Sequence, residues 1–367
     1  MDGQLARRSG AFADLLDQFV CVRLVQCYGL DRELFQFDPS LTMVSFFMNA
    51  DGDLYGRYGT RAGKDDAEHV SAAGLRAAMT GALVLHKMWR EDRAQMREKL
   101  SAKKHNDSPW SRYEDIPIMK GRVAPASEGK KECYHCHWVQ GGEILSRRAA
   151  AKPIDDRQLW MYPMLDVLGA ALDPEQRATI ARVLPHTPAA KAGWRAGDQI
   201  LEMEGQPILS IADVQWVLHR AGDTGKLDIT VRRGRRKHQT ELELPHGWRR
   251  KGDISWRPIV WMLRDEALGF HMEPMTDREK ERHHVDVRHT VYYINRIAPP
   301  WYKQANQAAR KAGLRKGDIL IAIDDRPPPA TMSRFLAWIA QETRPGQEIR
   351  VTVLRNGRKL TIAYPLK

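Results

Sequence analysis

The sequence predicts an α+β protein of several domains, and a duplicated stretch in its second half is the main reason. Residues 189–201 and 309–320 carry the same pattern, and adding 120 to Gly193 and Asp198 gives Gly313 and Asp318. Such self-similarity indicates a repeated module. The chain has 367 residues, of which 43% are hydrophobic, and this is enough for two or three domains with apolar cores.

The duplicated stretch predicts two tight turns followed by a strand. A short helical turn ends at Gly193, where a glycine takes a left-handed backbone conformation without strain. Gly197 and Asp198 then form a second turn. An apolar strand is predicted directly after it, at residues 199–203.

The composition limits the classes of partner. The formal net charge is +12, with small basic clusters at 232–237 and 249–251. No nucleic-acid-binding motif accompanies them, so we expect no nucleic-acid partner. The basic balance is compatible with an anionic membrane surface. The sequence has no run of about 18 apolar residues, so we expect no transmembrane helix. Residues 1–10 lack the apolar stretch of a signal peptide.

Residues 1–100 alternate between strand and helix patterns. The strand at 41–49 is strongly apolar and is therefore predicted to be central in a sheet. An Asp-Gly pair after it predicts a hairpin. The predicted elements in order are a helix end at 11–18, strands at 19–25 and 41–49, a turn at 50–53, a strand at 54–58 and a helix from 70 to about 100.

This order, with the residues FFMNADG and YGRYGTR, resembles the second half of a thioredoxin-like domain. The resemblance implies an incomplete thioredoxin-like domain at 1–100, whose redox Cys-x-x-Cys motif would lie before Met1. Thioredoxins usually have a cis-proline before the central strand, and Leu41 and Thr42 stand there instead. Cys21 and Cys27 are not at a helix N-terminus, so we expect buried, unreactive thiols.

Residues 101–164 are predicted to be a linker that contains Cys133, Cys136 and His137. This Cys-x-x-Cys-His spacing is the attachment signature of c-type haem, with two thiols for the haem vinyl groups and a histidine as axial ligand. Two alternatives remain open. The cysteines form a redox dithiol or a structural disulfide, or they join nearby histidines in a zinc site.

Two modules, at 165–247 and 263–367, follow, joined by a connector at 248–262 whose tryptophans are expected to pack the modules together. Each has a Leu-Gly loop, the Gly-Asp turn, a helix and a final hairpin. This order resembles the PDZ domains of HtrA-type periplasmic proteases. The predicted helices and strands are 211–219, 227–232 and 239–244 in the first module, and 291–297, 333–340, 349–354 and 359–364 in the second.

The PDZ resemblance implies capture of a peptide C-terminus, which adds as a strand to a sheet edge while backbone N–H groups of the Leu-Gly loop receive its carboxylate. The alternative is that these loops only close a small barrel. Extra residues at 273–288 are expected to cover the second groove. The candidate peptide-binding residues are Leu168, Gly169, Ala170, Leu172, Val214 and Leu218 in the first module, and Leu268, Gly269, Phe270 and Met272 in the second.

Nearly the whole chain resembles bacterial thioredoxin-like/PDZ domain-containing (seleno)proteins, on the segments above and on SIADVQWVLH and GWRRKGDISWR. The resemblance implies a periplasmic or envelope protein that couples peptide binding to thiol-redox chemistry upstream of Met1. A chain complete as given would be cytoplasmic. The alternatives are a non-catalytic PDZ scaffold and a haem electron-transfer protein. No Gly-x-Ser-x-Gly or Gly-Asn-Ser-Gly motif is present, so we expect no serine protease activity and assign no catalytic residue.

Overall fold

The structure is a computed structural model that describes residues 12–24, 29–63, 68–101, 108–119, 136–298 and 303–367. Its internal contacts divide the chain into two compact units. The first consists of Met1–Cys136 and Trp160–Gly252, and the second of His137–Leu159 and Asp253–Lys367. Each unit contains one of the duplicated modules. Within the described ranges, no helix is long and apolar enough to cross a membrane.

The first unit begins with a hairpin flanked by helices. The strands pair antiparallel, and Gly52 in the turn has a φ of 80°, as the Asp-Gly pair predicts. Ser71 caps the long helix because its hydroxyl accepts the Gly74 N–H at 2.9 Å. Asp92, with an extended backbone, interrupts the helix predicted from 70 to 100. The elements are α1 (Ala13–Leu16), β1 (Ser45–Met48), β2 (Leu54–Tyr58), α2 (Ala72–Glu91) and α3 (Arg93–Ser101).

Two strand predictions in this region are wrong. Residues 19–24 form no strand, and Val20 and Val22 are largely exposed. The strand expected at 41–49 shortens to β1, which pairs with β2 in a two-stranded sheet. A β-branched stretch becomes a strand only where a neighbouring strand accepts its backbone hydrogen bonds, and no described strand lies beside 19–24. A thioredoxin-like domain is therefore not shown. Cys21 is exposed rather than buried, and Cys27 lies outside the described residues.

The segment expected to be a linker contains two helices, α4 (Val139–Ala149) and α5 (Asp156–Leu159), that belong to the second unit. Gly141 packs so closely there that a Cβ would lie 2.4 Å from the Met262 sulfur. Arg148 donates through Nη1 to the Thr343 carbonyl at 2.8 Å, and burial lowers the pKa of its guanidinium to about 10. These contacts explain why this segment folds with the second module.

The first module is an antiparallel sheet with the strand order β3-β4-β5-β7-β8, and β6 pairs with β5. Its predicted helix and strands are observed with bounds shifted by a few residues, and the strand predicted at 199–203 is observed without change. The elements are β3 (Ala170–Asp173), β4 (Thr179–Val183), α6 (Pro188–Lys191), β5 (Gln199–Met203), β6 (Gln206–Pro207), α7 (Ile211–Arg220), β7 (Gly225–Arg233) and β8 (Arg236–Leu244).

The duplicated Gly-Asp turn is held by one aspartate and one arginine. Asp198 accepts the Arg195 N–H at 2.9 Å and two nitrogens of the Arg233 guanidinium at 2.7 Å each. Arg233 also donates to the Gly193 carbonyl at 2.8 Å. A single guanidinium therefore ties the end of β7 to both tight turns.

The second module repeats this arrangement. Asp318 accepts the Arg315 N–H at 3.0 Å, and Arg355 donates to both its carboxylate oxygens and to the Gly313 carbonyl. The strand order is β13-β12-β11-β10-β9. The elements are α8 (Ile259–Leu268), β9 (Phe270–Pro274), α9 (Asp277–Arg282), β10 (Tyr292–Ile297), α10 (Lys303–Lys311), β11 (Ile319–Ile323), α11 (Met332–Ala337) with a π-helical end (Trp338–Glu342), β12 (Glu348–Arg355) and β13 (Arg358–Pro365).

The extra residues of the second module cover a face of its sheet. Met275 and Val285 cluster with Tyr293 and Ile319. Tyr292, which precedes Tyr293 in β10 and so points to the opposite face, contacts the Phe335 ring of α11 at 5.4 Å. The insertion therefore packs behind the sheet, on the face away from α11. The prediction that it covers the groove beside that helix is wrong, because its apolar side chains find their partners on the other face.

Candidate peptide-binding sites

The Leu-Gly segments depend on glycine in both modules. Gly169 has a φ of 93°, and a Cβ there would lie 2.2 Å from the Thr187 Cβ. Gly269 has a φ of 76°, and a Cβ there would lie 2.1 Å from the Ala305 carbonyl oxygen. The left-handed backbone disfavours a side chain, and the lack of space excludes one. Each glycine thereby fixes the point at which the edge strand of its sheet begins.

The amide groups of these two glycines are already bonded within the chain. The Gly169 N–H donates to the Asp166 carbonyl at 2.9 Å, and the Gly269 N–H donates to the Asp265 carbonyl at 3.1 Å. Both were expected to contribute to carboxylate capture. In the structure they end a 3₁₀ turn and helix α8, respectively. A ligand carboxylate therefore needs other donors in each module.

The edge strand of the first module, β3, presents such groups. Leu172 pairs with Ile180, whose N–H and C=O bond to Asp198 and Gly197 at 2.8 Å each, on the side of β5. In an antiparallel pair of strands, two directly opposite residues either bond to each other through both backbone groups or both point those groups away from each other. The N–H and C=O of Leu172 therefore point away from β4, towards the open edge. By alternation those of Ala170 do so as well, and no described residue bonds to either.

The edge strand of the second module, β9, has the same register. Met272 pairs with Ile294, whose N–H and C=O bond to Asp318 and Gly317 at 2.8 and 2.9 Å. The Met272 backbone groups therefore also point to the open edge. Here, however, Arg264 donates through Nη1 to the Met272 carbonyl at 3.3 Å.

The candidate side chains of the first module lie together in the structure. They belong to one buried apolar cluster rather than to an open cleft. Tyr162, which sequence reasoning missed, joins this cluster. Its ring stacks on His219 with 4.3 Å between centroids, and its carbonyl accepts the Gln215 amide at 2.9 Å. No sequence signal marked it. The buried candidates are Leu168, Ala170, Leu172, Val214 and Leu218.

The candidate side chains of the second module are at least as deeply buried. Phe270 and Met272 have 0% relative exposure and Leu268 has 1%. Phe270 lies 6.4 Å from the Tyr364 ring, in the core of the sheet. In both modules, a ligand side chain that reaches the candidate residues would need the module to open.

Helix α7, which flanks the first candidate groove, is held from outside by the N-terminal hairpin. The carboxylate of Asp213 accepts the Arg57 N–H at 3.1 Å and lies 3.4 Å from its guanidinium. Ser210 donates to the Arg57 carbonyl at 2.6 Å, and the guanidinium lies 4.5 Å from the Trp216 ring centre. Burial lowers the pKa of Arg57, and the charge of Asp213 opposes this.

Close packing between hairpin and helix excludes a side chain at the residue before Arg57. A Cβ at Gly56 would lie 2.7 Å from the Asp213 carboxylate and 2.8 Å from Leu209. Leu209 itself is buried in the cluster of the N-terminal helices. Leu209 of the first module therefore packs into the core of the N-terminal region, and the hairpin fixes the position of α7.

The Cys-x-x-Cys-His motif lies mostly outside the described residues. Cys133 and the side chain of His137 are not described. Cys136 donates through its thiol to the Leu41 carbonyl at 3.8 Å. Among the side chains that the structure describes, no group of three or more metal-ligating residues is present. The haem, dithiol and zinc predictions for this motif stay predictions.

Connector tryptophans divide between the two units. Trp248 is fully buried in the cluster of the first module and donates to the Gly222 carbonyl at 3.1 Å. Trp261 lies in α8 of the second unit and is 55% exposed. Trp248 therefore stabilises the core of the first module, whereas Trp261 is a surface residue of the second unit.

The fold and the edge strands are those of a PDZ module, and comparison with known proteins agrees. Residues 166–244 and 267–366 match the family model described as PDZ domain. The chain therefore carries two PDZ domains, as the sequence predicted. Neither these matches nor the fold supports the thioredoxin-like resemblance.

Similar proteins include DegP-like proteins of pseudomonads. A probable periplasmic serine endoprotease DegP-like of Pseudomonas savastanoi pv. phaseolicola is 27% identical over 198 residues, which cover 53% of this chain and 38% of that protein. A protein of the same description from Pseudomonas putida (strain GB-1) is 28% identical over 203 residues, with coverage of 53% and 39%. The chain thus spans about two fifths of the length of these relatives.

One similar solved structure is the HtrA-type protease AlgWS227A with tripeptide. Its sequence is 25% identical and its TM-score is 0.23. The match covers 27% of this chain and 30% of that chain.

Proposed function

We propose that this chain binds the C-terminal segments of partner polypeptides in the cell envelope, by adding them as a strand to β3 of its first PDZ domain. The observation that carries the proposal is the register of β3, which directs the backbone groups of Ala170 and Leu172 to an edge without a described partner. Strand addition at such an edge is how PDZ domains take their ligands.

The chemistry around β3 defines the ligand. The cluster between β3 and α7 is apolar and closed, so the proposal includes that it parts to admit an apolar side chain at the end of the peptide. Because the Gly169 amide is bonded to Asp166, we assign the Ala170 N–H as a donor to the terminal carboxylate. Tyr162 and His219 close the cluster on the α7 side.

The envelope location rests on the relatives, which are described as periplasmic. Their description as serine endoproteases is not carried over, because the sequence lacks the serine motifs named above. Contact with an anionic membrane surface, suggested by the charge of +12, remains a prediction.

A binding assay tests the proposal. Fluorescein-labelled decapeptides with three apolar terminal residues are titrated with the full chain, and fluorescence polarisation is recorded. We expect saturable binding that weakens at least tenfold when the terminal carboxylate becomes an amide or the last residue becomes aspartate. Equal binding of all three peptides, or no binding, would overturn the proposal.

Coupled thiol-redox activity and haem attachment are separate predictions. Insulin reduction by the chain tests the first. A pyridine haemochrome spectrum of protein made with haem-maturation machinery tests the second, with Cys136→Ser as control. Absence of covalent haem leaves the thiol and zinc predictions. Native mass spectrometry of the intact protein separates them, because a disulfide is lighter than the dithiol by two hydrogens and bound zinc adds the mass of one metal ion.

A further inference from the structure

The two PDZ domains differ at the one acceptor that a peptide strand would need. In both, the register points the carbonyl of the third residue after the Leu-Gly glycine, Leu172 or Met272, to the open edge. No described residue bonds to that carbonyl in the first domain. In the second domain, the Arg264 guanidinium occupies it at 3.3 Å.

Arg264 is built into this position. Its side chain is 3% exposed, and its Nε donates to the Asp265 carboxylate at 2.9 Å. It also contacts the imidazole of His271, the residue of β9 between Phe270 and Met272. His271 in turn lies 3.7 Å from Asp265. The guanidinium is therefore fixed from three sides and cannot swing away as a surface arginine would.

The first domain has no such donor at the equivalent place. Subtracting 100 maps Leu268 onto Leu168 and Arg264 onto Met164. The Met164 thioether accepts a contact from the Thr60 hydroxyl at 3.7 Å. A thioether has no N–H to offer to a carbonyl.

We infer that Arg264 holds the second PDZ domain closed to strand addition, so that the first domain takes the peptide. This inference rests on the proposed function. A strand that docks on β9 must displace a charged donor from the Met272 carbonyl and leave that buried charge without one of its partners. Such an exchange is unfavourable, because hydrogen bonds to charged groups are stronger than those between neutral peptides.

Substitutions that exchange the residue types at Arg264 and Met164 test the inference. The full chain is titrated with the fluorescein-labelled decapeptide by calorimetry. We expect one site in the wild type, two sites in Arg264→Met, and at least a tenfold weaker first site in Met164→Arg. The double variant R264M/D265N removes the carboxylate that R264M leaves unpaired, and it is expected to show two sites even where the single variant folds poorly.

Hydrogen–deuterium exchange of the wild type locates the site without any substitution. Peptide is expected to protect residues 170–173 and to leave 270–274 unchanged. Two equal sites in the wild type, or protection of 270–274, would overturn the inference and leave the proposed function intact. If the wild type binds nothing and R264M gains a site, the closure stands and the first-domain proposal falls. If neither protein binds, both fall.

Discussion

Replacing Asp213 by alanine is expected to lower the free energy of unfolding of the first unit by about 3–5 kcal/mol. The Asp213 carboxylate accepts the Arg57 and Leu209 N–H groups at 3.1 and 3.0 Å and pairs with the Arg57 guanidinium at 3.4 Å. Both charged side chains are 1% exposed. Alanine would therefore leave a buried cation without its counter-charge and two buried N–H groups without an acceptor.

Urea unfolding measures this change, with circular dichroism and tryptophan fluorescence as independent signals. Lys226→Ala is the matched control, since Lys226 and Glu241 form an ion pair at 2.6 Å in which both side chains are largely exposed. We expect no measurable change there, because water screens exposed pairs. The apolar double variant R57M/D213L is expected to recover much of the loss, as it removes both charges together.

A different result would refute the reasoning. If Asp213→Ala costs less than about 1 kcal/mol, the average cost of a point substitution, then the hairpin does not hold helix α7. The claim that the hairpin supports the first PDZ domain and its candidate groove would then be wrong.

Two further predictions concern the turns and edge strands. In thermal unfolding, Gly169→Ala is expected to destabilise the first PDZ domain several times more than Gly193→Ala. Both glycines have a positive φ, but only a Cβ at Gly169 would meet another atom within 4 Å. Equal losses of stability in the two variants would contradict this. Burial would raise the pKa of Asp198, but hydrogen bonds from Arg233 and the Arg195 N–H lower it overall. The advantage of wild type over Asp198→Asn in urea midpoint should therefore persist from neutral pH to about pH 4 and shrink below it, and a difference that grows at acid pH would contradict the sign.

Local chemistry predicted the PDZ domains well. The glycine and aspartate of each tight turn, the apolar residues of β5 and the final hairpins, which turn at Gly234 and Gly357, act within a few residues of one another. Such signals need no knowledge of the rest of the chain. The repeat then supplied an independent check, because the same contacts recur at Asp198 and Asp318.

Contacts between distant parts of the chain could not be predicted in the same way. Arg57 and Asp213 are 156 residues apart, and neither residue type marks a buried pair. Tyr162 and Arg264 looked like ordinary residues before the Leu-Gly segments. The stretch at 19–25 had strand composition, but a strand also needs a partner, which composition does not reveal.

The most direct test of strand addition is an N-methyl scan of the decapeptide bound to the full chain. In an added strand, only alternate peptide amides donate to β3, so N-methylation should weaken binding at every second residue and be tolerated between them. We expect this period of two, with at least tenfold losses at the bonded positions. Uniform losses or no losses along the peptide would contradict binding at the edge formed by Ala170 and Leu172.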